Sequence, residues 1–407
     1  MSLAATNPTA RLFGHRPFLL FASGRVFSDL ASQIATVAVG WQVYDMTRSA
    51  FDLGLTGLFQ FLPTAILVFI AGHAADRYDR QRVVQACQLL QGTVAVFLAW
   101  GTFGGWLTVP WIFAAMGVFG VATAFRSPAQ SALLAGVSPE GLVQRASAVS
   151  NGSFQTAIIT GPMIGGLTYV VSPGAPYVLM AVFWLLASIL NGLIKLDRPV
   201  AAKDPPTFAD LFAGVGFVRN NLAILGTISL DLFAVLLGGA TALLPIYARE
   251  ILETGPWGLG ALRSAPAIGA LLMTVFLTRH GVNRKIGIRM FQSVIVFGVA
   301  TVVFALSPWI LLSLVALAVM GAADTVSVVI RITLVQVATP DNMRGRVGAV
   351  NFLFVNASNQ LGEFESGVTA ALLGAMPAAL LGGIGTILVA LLWMKLFPEL
   401  RKADRLE

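Results

Sequence analysis

Cysteine is all but missing from this chain: Cys87 is the single one in 407 residues. One thiol excludes an internal disulfide framework and any cysteine-rich metal module. Histidine is nearly as scarce, and His15, His73 and His280 are scattered too widely to suggest a ligand cluster. No metal and no cofactor is expected. Charge is the third deficit, since Asp, Glu, Lys and Arg make up 11% of the residues, where a soluble domain carries about 25%. A soluble globule is excluded. No Gly-x-x-x-x-Gly-Lys-Ser/Thr loop occurs, which disfavours ATP hydrolysis by this chain, and no nucleophile–base constellation marks an enzyme.

Apolar residues are what the chain has in excess. They account for 57% of it, roughly 230 positions, and twelve membrane spans of about 20 residues each would occupy about 240. Apolar runs, broken where charge or Pro/Gly clusters intervene, fall near 17–44, 51–72, 83–101, 109–134, 147–171, 177–194, 222–247, 257–278, 287–306, 309–336, 347–374 and 377–397. The first run follows Arg11 and Arg16 without the short apolar region and cleavage site of a secretory signal peptide. Twenty of the 26 Lys and Arg residues fall on the side that holds both termini, whereas the opposite loops hold Arg48 and Arg249. The positive-inside rule therefore predicts a multi-pass protein of the cell inner (plasma) membrane with both termini cytoplasmic. The net charge of +7 then reflects topology and implies no nucleic-acid partner.

The longest polar stretch, residues 195–221 with Pro199, Pro205 and Pro206, divides the chain near its middle. Shifting the sequence against itself shows that it separates duplicated units. Tyr44 and Pro63 match Tyr247 and Pro266 at an offset of 203, with Gly57 matching Gly260 in the same register. At an offset of 201, Gly120, Pro139, Arg145, Ala148 and Val149 match Gly321, Pro340, Arg346, Ala349 and Val350, followed by Gly161 with Gly362 and Gly166 with Gly367. An even number of spans per unit makes the repeats parallel. The expected organisation is an all-α integral membrane protein with a six-helix bundle in residues 1–194, a cytoplasmic linker in 195–221 and a second six-helix bundle in 222–407.

The segment after the second span reads Gly72-His73-Ala74-Ala75-Asp76-Arg77-Tyr78-Asp79-Arg80-Gln81-Arg82. It resembles the signature loop of the major facilitator superfamily, with Asp79 standing where Gly is commonest. Physically, Gly72 permits close backbone approach, while Asp76 can cap a helix N-terminus and pair with Arg80 or Arg82. The resemblance implies that Gly72, Asp76, Arg77, Arg80 and Arg82 form a cytoplasmic latch that holds the outward-open state. Phe125-Arg126-Ser127-Pro128-Ala129, Pro139-Glu140, Ser28-Asp29 and Trp41-Gln42-Val43-Tyr44 are similar to the branch of that family containing the enterobactin exporters. In the fifth span Gly161-Pro162-Met163-Ile164-Gly165-Gly166 is similar to the second half of the antiporter motif of proton-coupled drug exporters, with Ala148 and Ala157 in place of its upstream glycines. Read from the residues alone, Pro162 allows a bend, and Gly161 and Gly165 form a face for tight helix packing. Met116 stands where the family often carries an Arg four residues before a Gly, so Arg126 cannot take that role by motif.

Ionisable groups at mid-membrane cost at least about 2.5–3.5 kcal/mol to insert and mark functional positions. The candidates are Arg25, Asp29, Arg126, Asp231, Arg263, Asp324, Arg331, Glu363 and Glu365. Six of the nine lie on spans one, four, seven and ten, which the resemblance implies line the central cavity. Asp29 lies about 18 Å along its span and Asp231 about 14 Å along its own, so both approach the midplane. They match across the repeat at an offset of 202. Arg25 and Asp29 are spaced i, i+4 and can pair. Asp231 has Thr227 and Val235 at its i±4 positions, no local cation, and is expected to carry a proton across the membrane, alone or with Asp29. Glu363 and Glu365 lie about 25 Å along span eleven, where hydration can make them merely tolerated.

These readings converge on a monomeric secondary transporter, not an enzyme, that exports a small organic solute, siderophore-like or drug-like, by alternating access in antiport with protons. The alternatives are a proton-coupled importer of a polar metabolite and, in a different class, a membrane-embedded enzyme or scaffold.

Overall fold

A computed structural model describes residues 8–195, 208–281, 285–340 and 343–402. Among the described residues twelve long helices follow one another: α1 (Arg16–Thr47), α2 (Ala50–Arg77), α3 (Arg80–Phe103), α4 (Val109–Val137), α5 (Val143–Val171), α6 (Ala175–Gly192), α7 (Leu222–Leu237), α8 (Gly255–His280), α9 (Ile286–Leu306), α10 (Ile310–Ala338), α11 (Arg344–Leu373) and α12 (Ala375–Leu396). A hydrocarbon environment requires this, because a helix satisfies its backbone groups internally where water is absent. Ten of these segments are apolar and long enough to cross a membrane. The other two, α1 and α11, have the length but carry Arg25 and Asp29, and Glu363 and Glu365. Large apolar side chains such as Leu272, Leu311 and Trp100 point outward, a surface suited to lipid.

The seventh span is not one continuous α-helix. After Leu237 the chain passes through Gly238 and Gly239 into a 3-10 turn (Ala240–Leu243), a short α turn (Leu244–Ile246) and a π turn (Tyr247–Ile251). The two glycines let the chain pass close to its neighbours. A Cβ on Gly239 would collide with the Gly362 carbonyl, and one on Gly238 would stand 2.7 Å from the Phe297 ring.

The chain gathers into two compact units, Met1–Met46 with Phe59–Pro205 and Thr47–Leu58 with Pro206–Glu407. The first turns of α2 thus group with the second unit. There Gly54 lies against Phe364 and Gly367 of α11, and the Phe51 and Phe364 rings sit 6.1 Å apart. The polar stretch expected to be a linker also differs from a plain loop, since Phe208–Asn220 is helical. Its Val218 joins Val347 and Val350 of α11 in an apolar cluster, and its Gly214 approaches the Arg346 carbonyl. Residues 196–207 of that stretch lie outside the described residues.

The duplication is visible in the packing. Gly120 on α4 faces the Gln60 carbonyl of α2, and its repeat partner Gly321 on α10 faces the Pro266 carbonyl of α8. Gly161 on α5 faces Leu30 and Gln33 of α1, and Gly362 on α11 faces the Val235 and Leu236 carbonyls of α7. Gly24 on α1 meets Asn191 of α6, and Gly226 on α7 meets Phe397 just beyond α12. Gly120, Gly321 and Gly362 sit where a neighbouring helix backbone approaches within the reach of a side chain, whereas Gly24 and Gly226 make room for the side chains of Asn191 and Phe397.

Candidate transport site: two buried acid–arginine clusters

In the first unit α1 carries Asp29, 6% exposed, and Arg25 one turn earlier. The i, i+4 spacing is realised as an ion pair, Arg25 Nε to Asp29 Oδ2 at 3.5 Å. A second arginine reaches the same carboxylate: Arg126 Nη1 of α4 lies 3.8 Å from Asp29 Oδ1 and donates to Gln130 Oε1 at 3.3 Å. Both ion pairs are longer than a hydrogen bond of about 2.7–3.2 Å, so they are Coulombic contacts that a small rearrangement can break. A neutral network adjoins them. Gln88 of α3 donates to Ser28 Oγ at 2.7 Å, and Asn191 of α6 donates to Gln88 Oε1 at 2.9 Å. It ties α1, α3 and α6 together beside the charged cluster.

In the second unit Asp231 of α7, 6% exposed, forms an ion pair with Arg331 of α10, 4% exposed. The cation is not a local one. The i±4 positions of Asp231 are indeed Thr227 and Val235, but the partner comes from a helix 100 residues later, which local spacing cannot reveal. Asp324 lies two helical turns before Arg331 and, with Asp231, lines a small cavity between α7, α9 and α10. Serines 293 and 327 line it too. Neither serine was anticipated. Ser327 follows Asp324 by three residues and precedes Arg331 by four, the spacing of one helical face, and that signal was available in the sequence.

The nine expected intramembrane groups therefore divide. Arg25, Asp29 and Arg126 meet in the first unit, and Asp231 and Arg331 meet in the second, where Asp324 lines a cavity with Asp231. Glu363 and Glu365 join neither cluster: Glu363 faces Arg263 of α8 electrostatically, and Glu365 accepts a hydrogen bond from Thr369 Oγ1 at 2.7 Å.

The signature segment also differs from a loop. Gly72 to Arg77 form the last turns of α2, and only Tyr78 and Asp79 separate them from α3. No strong helix breaker follows Gly72 in this segment. Among the described residues nothing lies within 4 Å of a Cβ built on Gly72, so no close backbone approach occurs there. Asp79 caps α3, accepting from the backbone N–H of Gln81 at 2.9 Å and of Arg82 at 3.4 Å, and lies 3.7 Å from Arg82 Nε. The side chain of Asp76 lies outside the described residues. In α5, Gly165 faces the Ile34 carbonyl of α1 at 3.1 Å, and Pro162 and Gly166 are buried beside it. This is the tight packing face that the Gly161–Gly166 spacing suggests.

Paired six-span repeats with ionisable groups buried in the first and fourth helices of each mark a membrane-spanning transporter. The chain belongs to the Major Facilitator Superfamily, whose family model matches residues 21–363. It is 27% identical over 412 residues to Enterobactin exporter EntS of Citrobacter koseri, covering 99% of this chain and 95% of that one. It is 23% identical over 398 residues to Macrolide efflux protein A of Streptococcus pyogenes, covering 95% of this chain and 97% of that one. Among solved structures, the nucleoside transporter NupG shares the fold with a TM-score of 0.75 at 14% identity, covering 94% of this chain and 99% of that one. A bacterial homologue of the iron transporter ferroportin shares it with a TM-score of 0.68 at 15% identity, over 93% and 98% of the two chains. The protein is thus a multi-pass membrane transporter and not an enzyme.

Proposed function

We propose that the protein exports a small organic solute across the inner membrane by alternating access, in exchange for protons, with both termini cytoplasmic and one chain sufficient for the cycle. Likeness along nearly the whole chain to two efflux proteins with different cargoes supports the direction. The positive-inside distribution of Lys and Arg supports the orientation. The observation that carries the coupling is the repeated burial of a carboxylate against an arginine at matching positions, Asp29 and Asp231. A buried acid that can exchange an arginine for a proton has a reason to bear its insertion cost. An importer would use the same groups, and flux direction in vesicles under an imposed pH gradient separates the two.

The test is a panel of siderophores and drugs presented to the reconstituted protein. Wild-type protein should accumulate a substrate against its gradient when driven by protons. The double variant Asp231→Asn/Arg331→Met removes both charges together and should keep downhill exchange while losing pH-driven accumulation. Wild-type coupling in that variant would transfer the role to Asp29, and absence of any solute flux in wild-type vesicles would end the transport reading for the panel. Gly72, Asp76, Arg77, Arg80 and Arg82 are proposed to act as the latch at the cytoplasmic end, biasing states without touching the cargo.

A further inference from the structure

The cavity between α7, α9 and α10 has an unbalanced charge. Of its two carboxylates, Asp231 is held by Arg331, whereas Asp324 has no hydrogen-bond or ion-pair partner among the described residues. Two carboxylates and one guanidinium leave a local charge of −1 in a membrane-spanning region, where uncompensated charge is costly.

The hydroxyls around this space point the same way. Helical serines and threonines in this protein commonly donate to the carbonyl three or four residues earlier, as Ser293 does to Met290 at 2.8 Å and Ser264 to Gly260 at 2.9 Å. Ser327 does not. It is 6% exposed, lines the cavity and makes no hydrogen bond among the described residues. The Ser327 side chain therefore lines the same space as Asp324, Asp231 and Ser293 with no hydrogen-bond partner among the described residues.

The corresponding place in the first unit lacks this demand. At the repeat offset of 201, the uncharged Thr123 stands for Asp324, Arg126 for Ser327 and Gln130 for Arg331. One carboxylate, Asp29, is shared there by two arginines. The duplicated positions have diverged so that the first unit supplies its own cations and the second has room for one that the chain does not provide.

We propose that this cavity binds a single Na+ ion, held by carboxylate oxygens of Asp324 and Asp231 with the Oγ atoms of Ser327 and Ser293. Oxygen-only donors suit a hard cation. A monovalent ion brings the local charge to zero, whereas a divalent one would leave an excess of +1 beside Arg331. The site lies wholly within the second unit. It rests on the membrane-transporter reading but not on proton antiport, so it can fail without that reading failing.

The experiment uses the purified full-length protein in nanodiscs at fixed pH, with NaCl replaced by choline chloride at constant ionic strength. Thermal unfolding should shift upward with Na+ in a saturable way, as mass action requires of a ligand that binds only the folded state. Choline should give no shift, and radioactive sodium should bind at one ion per chain. Asp324→Asn should abolish both effects. Ser327→Ala, a small change that preserves the helix, should weaken the apparent Na+ affinity by about tenfold, and it decides the matter if Asp324→Asn fails to fold. Sodium binding unchanged in a folded Asp324→Asn or in Ser327→Ala overturns the site. So does an unfolding temperature that follows pH but not Na+, which would make Asp324 a carrier of protons only.

Discussion

Replacing Asp231 with asparagine should destabilise the second unit more than replacing Arg331 with methionine, and combining the two should return most of the loss. Both members of this ion pair are buried, at 6% and 4% exposure. Removing one partner of such a pair costs about 3–5 kcal/mol, a large part of the roughly 5–15 kcal/mol that holds a protein folded. The order between the single variants follows from acid–base chemistry. An isolated Asp231 can take up a proton and become neutral, but an isolated Arg331 cannot give one up, because guanidinium stays protonated at any accessible pH. The double variant leaves no uncompensated charge and substitutes groups of similar reach. Thermal unfolding of the four proteins in one detergent measures the prediction. Equal melting temperatures for all four would mean that water reaches the pair and screens it.

That pair also marks the boundary of what could be read from the sequence. Helix count and span positions were legible because a bilayer leaves the chain few choices: each span must be apolar, about 20 residues long and ended by charge, Pro or Gly. The repeat was legible because glycines at backbone crossings tolerate no substitute, so Gly120 and Gly321 or Gly161 and Gly362 kept register when most other positions drifted. Arg25 and Asp29 could be paired on paper because one helix fixes their separation. Asp231 and Arg331 could not, since nothing local says which of several distant arginines α10 would bring to α7. The seventh span read as one apolar run, and its break after Leu237 depends on Gly239 meeting Gly362, again a tertiary fact. Asp76 attracted the capping role by its place in a family pattern. The cap of α3 is Asp79, because α2 continues through Gly72 to Arg77 and the next helix begins only at Arg80.

The glycines at these crossings should be the least replaceable residues outside the charged clusters, and Gly321→Ala is the sharpest case. A methyl on Gly321 would fall on the Pro266 carbonyl of α8, well inside the 3.0 Å that real Cβ contacts observe. The obstacle is backbone, so no rotamer change relieves it, and α8 and α10 would have to part along a packed interface. Gly120→Ala repeats the collision with the Gln60 carbonyl in the first unit. It also disturbs the hydrogen bond that Thr64 Oγ1 donates to the Gly120 carbonyl at 3.0 Å. Overpacking typically costs about 1–3 kcal/mol and more where only backbone can move, so both variants should lose most of their monodisperse protein on size-exclusion chromatography after extraction. Gly161→Leu should lose protein in the same way. Its Cβ would stand 2.5 Å from Gln33 Cβ, an atom that no rotamer change moves, and the larger residue must also find room against α1. Gly152→Ala is the control: nothing lies within 4 Å of its Cβ position, and the exchange should be neutral or gain about 0.5–1 kcal/mol from helix propensity. If Gly321→Ala extracted and melted like wild type while Gly152→Ala did the same, α8 and α10 would not approach at this crossing, and the repeat-related close contacts would lose their physical basis.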